Sequence, residues 1–223
     1  MGLTVSAISN NTMEMKLMKA MASGKKINKA ADDPSGQAIA SKLETAQRTA
    51  EAEAENDTLT QAMYNVKDGA LSGMNDYLYS LSANAVRQGN DLYTSEDQSY
   101  IAMDSQASTD GVSALASTTT FNEQSVFNSN EIDTSSVDSI ASSVASSRTS
   151  TGASYNALSH RISYNSNYAI NAASSKSRVE DTEYGSTTSN LKAQQTLRTA
   201  KYQMQKKKEE QEEKRVKNMF SVA

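Results

Sequence analysis

Two pairs of carboxylates carry the most evident chemical reach in this 223-residue chain, Asp32 and Asp33 near its start and Glu180 and Asp181 near its end. Brought together, such groups could divide general-acid and general-base work between them. Their setting argues for another role. Asp33 precedes the single proline, Pro34. A residue before proline avoids the α region, so Asp33 is placed to cap a new helix with Pro34 at its first position. Capping, with pairing to Lys29 or Arg178, accounts for the acids without catalysis. His160 is the only histidine, and with no second ligand type at metal spacing it reads as a structural or surface residue. Lys206, Lys207 and Lys208 suggest a nucleic-acid contact until the following glutamates cancel their field. A formal net charge of -4 gives no reason for nucleic-acid binding either. No catalytic residue, metal or cofactor is expected.

The elements that would position these groups are helices. Met13, Leu17, Met18, Met21 and Ile27 mostly repeat at three or four residues and predict a modest amphipathic helix, ended by Asp32-Asp33-Pro34. A second helix is expected from about Pro34 to Arg87, with a seam of Leu59, Met63, Val66, Ala70, Met74, Leu78, Leu81 and Ala85. At 1.5 Å per residue it would extend about 75 Å. Gln88-Gly89-Asn90 breaks it, and Ser95-Glu96-Asp97 starts a third helix carrying Ile101, Val112 and Leu115. Phe121 and Phe127, set among Asn and Ser, predict short strands or a compact turn at the tip. A Ser-rich returning helix follows, with Val137, Ile140, Val144, Leu158, Ile162, Ala169 and Ala173, and then a last helix with Leu191, Leu197, Met204, Val216, Met219 and Phe220. So many serines lower helix propensity, so packing must hold the returning helix.

Composition agrees with narrow helical seams rather than a thick core. Hydrophobic residues make up 37% and aromatics 6%, Trp and Cys are absent, and the mean hydropathy is -0.63. Disulfides and Cys-ligated metals are thereby excluded. The first ten residues lack a convincing secretory signal, and no apolar run approaches the roughly 20 residues of a membrane span. The fold class expected is an all-α hairpin or coiled-coil rod with a short β-turn or hairpin at its tip.

Two sets of motifs now stand in order along the chain. Ser23-Gly24, Ile27-Asn28, Asp32-Asp33 and Gly36-Gln37-Ala38-Ile39-Ala40 lie near one end; Ser177-Arg178-Val179-Glu180-Asp181, Tyr184 and Ser189-Asn190 lie near the other. Together they resemble the paired terminal motifs of bacterial flagellins. Phe121-Asn122 resembles the family's turn after the third helix, with Glu123 where Gly usually stands. Only a short segment joins Phe121 to Ser136, so the resemblance implies a minimal form without outer variable domains.

The same resemblance implies a division of the chain. Residues 1–31 and 190–223 are expected to form the inner coiled-coil tube, and 32–42 and 178–189 an elbow built on Asp32, Asp33, Pro34, Gly36, Arg178, Glu180 and Asp181. Residues 43–177 would be the rod domain, with helices over 43–88, 95–117 and 135–177 and tip strands within 118–134. The implied function is a homopolymeric filament subunit for motility, exported unfolded through the filament channel by a type III apparatus and folded on assembly. Implied partners are hook-filament junction and cap proteins and an export chaperone at the C-terminal helix, with neither nucleic acid nor membrane among them. The expected polymerisation residues are Leu3, Ile8, Leu17, Met18, Met21 and Ile27, meeting Leu191, Leu197, Met204, Met219 and Phe220. Ser82, Ala83 and Asn84 replace the Arg, Glu and Leu pattern read by the animal Toll-like flagellin receptor, so weak or absent activation is expected. Exposed Ser and Thr between 135 and 151 are helix filler or carriers of O-linked sugars. The alternatives are a hook-filament junction protein of the same superfamily and, in another class, a cytosolic coiled-coil adaptor.

Overall fold

A computed structural model describes the backbone of residues 2–220 and the side chains of residues 12–218. The elements in order are α1 (Gly2–Ser23), α2 (Pro34–Gln88), α3 (Ser95–Thr118), β1 (Thr120–Phe121), β2 (Gln124–Ser125), α4 (Val137–Glu180) and α5 (Tyr184–Phe220). The fold is all-α apart from one two-residue-per-strand hairpin. Residues 1–47 with 170–223 form one compact unit and residues 48–169 another.

Local chemistry sets the helix ends. Gly24 follows α1 at φ +71°, a left-handed position that glycine adopts without a Cβ penalty. Pro34 opens α2, and the Gly36 N–H donates to Asp33 Oδ1 at 2.9 Å. Thr94 caps α3 through a reciprocal capping box with Asp97. Two hydrogen bonds from Thr94, side chain first and then backbone, hold the Asp97 carboxyl below its usual range. Ser136 accepts from the Ser139 N–H at 3.1 Å at the start of α4.

In the unit of residues 48–169, the core is Leu71, Met74, Leu78 and Leu81 of α2, Val112 of α3, Val126 and Phe127 after the hairpin, and Ile140 and Val144 of α4. Gly111 makes room on α3 for the Tyr77 ring, which an added Cβ would meet at 2.6 Å. Thr120 pairs with Ser125 and Phe121 with Gln124. The two residues between, Asn122 at φ 50° and Glu123 at φ 65°, make the turn with both central positions left-handed. Glu123 thus adopts the conformation that glycine would take with less strain.

Several expected boundaries shift. The elbow is narrower than 32–42 and 178–189, because Pro34 already begins a helix, α4 runs to Glu180 and α5 starts at Tyr184. Compact units divide at 47/48 and 169/170 rather than near 42 and 178. The expected seam corrects in its N-terminal half and at Ala85, which is exposed beside the buried Asn84. Leu59 is 58% exposed and Val66 is exposed, Met63 and Ala70 are partly buried, and Met74, Leu78 and Leu81 are buried. Lys67 and Leu71 take the inward positions, four and three residues before buried neighbours, so the seam steps 67, 71, 74, 78, 81. The apolar types Leu59 and Val66 lie on the adjacent, exposed face, and a lysine takes the inward position.

Candidate functional site

The elbow is assembled within the terminal unit from the segment after α1 and the break between α4 and α5. The Lys26 N–H donates to the Glu180 carbonyl at 2.8 Å, and the Thr182 N–H to the Gly24 carbonyl at 2.9 Å. A single bridge, Lys25 with Asp181, joins the two strands of chain. Lys25 Nζ reaches Glu180 Oε1 at 2.6 Å. That hydrogen bond is the main cause raising the Lys25 pKa, against a partial opposing effect of burial. Lys176 pairs with Glu44 at 3.0 Å and lies 3.9 Å from the buried Glu180. Below them Tyr184 donates its hydroxyl to the Met21 carbonyl at 2.8 Å.

Each acid of the elbow is structurally engaged. Asp32 Oδ2 accepts from the backbone N–H groups of Asn28 at 3.2 Å and Lys29 at 3.0 Å, with Lys16 3.5 Å from its other oxygen. Those bonds, Asn28 first, hold the Asp32 pKa down. Asp33 caps α2, and Ser177 donates to Asp181. The expected pairing with the Lys29 and Arg178 side chains is replaced: Lys29 offers its backbone, the Arg178 carbonyl accepts from Lys26 Nζ at 2.9 Å, and Lys16, Lys25 and Lys176 supply the ion pairs. Gly36 is where it is because a Cβ there would meet Ile27 Cδ1 at 2.6 Å. Ile27 itself is buried.

Beyond the elbow α1 packs on α5. Inside this pair the buried side chains are few: Ala20, Thr187 and the carboxylate of Glu14, which Arg198 reaches at 2.8 Å. Leu17, Met21 and Leu191 are partly covered, while Met13, Met15, Met18, Leu197, Met204 and Val216 are exposed. All described side chains from Gln195 to Asn218 are exposed. Leu3, Ile8, Met219 and Phe220 lie outside the residues whose side chains are described. The helix pair therefore presents apolar groups outward from a thin interior. Sequence reasoning missed Glu14 and Arg198, because a charged residue on an apolar stripe reads as solvated until its partner is known.

In the other unit, Ser82 and Ala83 are exposed, whereas Asn84 is buried and donates to Asp104 Oδ2 at 2.6 Å while accepting from Arg87 at 3.1 Å. Lys67 lies 2.6 Å from Glu131 and 5.1 Å from the centre of the Phe127 ring. Burial alone would raise the Glu131 pKa. Hydrogen bonds from Lys67, Ser147 and the Asn128 N–H outweigh it and hold the group below its usual range. His160 is exposed. Among the described residues no group of three or more His, Cys, Asp and Glu is placed to hold a metal ion, and no helix is long and apolar enough to cross a membrane.

Residues 3–131, more than half of the chain, match the family model described as the bacterial flagellin N-terminal helical region. The chain belongs to the bacterial flagellin family. It is similar to a flagellin of Clostridium tyrobutyricum, 28% identical over 55% of this chain and 33% of that protein. A flagellar filament core protein of Brachyspira hyodysenteriae is 32% identical over 48% of this chain and 38% of its own length. The flagellar filament 31.3 kDa core protein of Treponema maltophilum is 30% identical over 50% and 39%. The chain spans a third to two fifths of the length of these relatives. Only residues 126–136 separate β2 from α4 here, so no further domain is inserted at that point.

Proposed function

We propose that the chain is a structural subunit that polymerises into a bacterial flagellar filament outside the cell. The observation that carries this reading is the outward display of Met13, Met18, Leu197, Met204 and Val216 on a helix pair with so little interior of its own. Apolar side chains at helical spacing left in water gain roughly 1.5–3 kcal/mol each when fully covered, and copies of the same chain offer the cover. Family membership supplies the polymer: the relatives carry the names flagellin and flagellar filament core protein.

On this reading Leu17, Met18, Met21 and Ile27, with Leu3 and Ile8, meet Leu191, Leu197 and Met204, with Met219 and Phe220, within or between protomers. Ile27 serves through the elbow, where it is already packed. The chain is exported unfolded by a type III apparatus, escorted by a chaperone at the C-terminal helix, and capped by junction and cap proteins at the filament ends. Absence of Cys suits that passage, since no cross-link arrests an unfolded chain. With Ser82, Ala83 and a buried Asn84, the purified monomer is expected to leave Toll-like-receptor reporter cells silent; a robust response would overturn that part.

The test is assembly itself. The full chain, added to short filament seeds, is expected to extend them as seen by electron microscopy, and a chain ending before Asn190 is expected to sediment as a monomer. Filaments that form from the truncated chain would contradict the proposal.

A further inference from the structure

Between α2 and α4, within the unit of residues 48–169, lies a recess of about 270 Å³ lined by Tyr64, Asn65 and Asp68 on one side and Thr151, Tyr155 and Asn156 on the other, with Gly152 among them. Thr151 is buried, Tyr64, Asp68 and Tyr155 are half-buried, and Asn65, Gly152 and Asn156 are exposed. The Tyr64 and Tyr155 hydroxyls and the Asn65 and Asn156 amides make no hydrogen bond to any described residue. Asp68 keeps one carboxylate oxygen on Arg148 Nε at 3.0 Å. Gly152 stands in the interior of α4, where glycine weakens a helix, and an added Cβ there would meet nothing within 4 Å. Gly152 shares that open surround with Gly69 and Gly185, whereas the missing Cβ atoms of Gly36 and Gly111 make room for neighbours.

The geometry points to a binding site for a single pyranose sugar. Ligands of other classes fit poorly. A metal would need a cluster of acids or imidazoles, and none is placed for it among the described residues. An anion would need a free cation, and Arg148 is already engaged by Asp68. An apolar ligand would strand the amides and hydroxyls that line the walls. A sugar ring uses all of them: its C–H faces lie against tyrosine rings, and its adjacent hydroxyls, each both donor and acceptor, match side-chain amides that donate and accept from adjacent atoms. Asp68 has a second oxygen for a hydroxyl, and Gly152 lets the ring approach the helix backbone. The volume suits one ring rather than a chain of them.

This reading is independent of polymerisation and is tested on the soluble full chain. Saturation-transfer NMR with glucose, galactose, mannose and N-acetylglucosamine, each at a concentration on the order of 10 mM, is expected to show transfer to at least one of them. Tyr155→Ala should weaken that binding at least about tenfold, equal to roughly 1.4 kcal/mol. Gly152→Gln is the sharper variant, since it fills the recess while restoring helix propensity. It should raise the thermal midpoint and abolish the transfer, so lost binding cannot be ascribed to lost folding. No transfer to any of the four sugars, or transfer that survives in Gly152→Gln, would overturn the proposal.

Discussion

The core between residues 71 and 144 and the α1 and α5 pair are both helical, yet they are held differently. In the first, Leu71, Met74, Val112, Ile140 and Val144 are almost wholly removed from water, and helix, hairpin and loop residues close around them. In the second, Ala20, Thr187 and the Glu14 carboxylate are buried, the last beneath an exposed Arg198, while methionines and leucines face outward. A helix in isolation is marginal in water, and packing of one face supplies most of its stability. The first region carries its own packing. The second carries little of its own, as the proposed coupling of folding to polymerisation requires.

Substitutions in the two regions should separate stability from assembly. Leu71→Ala or Met74→Ala should cost about 2–5 kcal/mol in denaturant unfolding of the monomer, because each leaves a cavity in a closed core. Removing the Lys67 amine by Lys67→Ala should cost about 3 kcal/mol, since Glu131 is then left without its cation in a site where both side chains are at least four-fifths covered. Glu131 adds a pH dependence whose sign is fixed. Its folded pKa is depressed, so its contribution is present above the unfolded value of about 4.3 and is lost as the pH falls through the lower folded value. Glu131→Gln should flatten unfolding midpoints measured across that acid range.

Smaller effects bear on the turn and the terminal helices. Glu123→Gly should stabilise the monomer by about 1 kcal/mol, since glycine takes the φ of 65° at this turn with less strain. Leu197→Ala should change monomer stability by less than about 0.5 kcal/mol, being exposed, and yet raise the concentration needed for filament growth. A large stability loss from Leu197→Ala would erase the distinction between the two regions.

Much of the fold was legible because helix ends depend on local chemistry. Asp33 before Pro34, the Gly near Gln88 and the acids after Thr94 announce breaks and caps that need no tertiary information. The all-α class followed from the scarcity of proline and large apolar residues. What sequence could not supply was the partner of each charge. Lys67 faces inward because Glu131, 64 residues away, receives it, and Glu14 is covered because Arg198 does the same at the other end of the chain. Without those partners a seam search prefers Val66 and Leu59, and it places the first half of the α2 seam on the wrong face. Glu123 was readable as a departure from glycine, but only the backbone shows that the turn forms around it. For the expected polymerisation residues, the outward position of Met18, Leu197 and Met204 required the structure. Helical periodicity alone does not distinguish a face packed within a chain from one reserved for another copy.

The most direct test of coupled folding and assembly is amide hydrogen exchange, measured by mass spectrometry on the monomer and on filaments of the same chain. In the monomer, peptides covering residues 195–218 should exchange with little protection while those covering 71–81 and 140–144 stay protected, and in the filament both sets should be protected. Strong protection of residues 195–218 in the monomer, unchanged on polymerisation, would contradict the account.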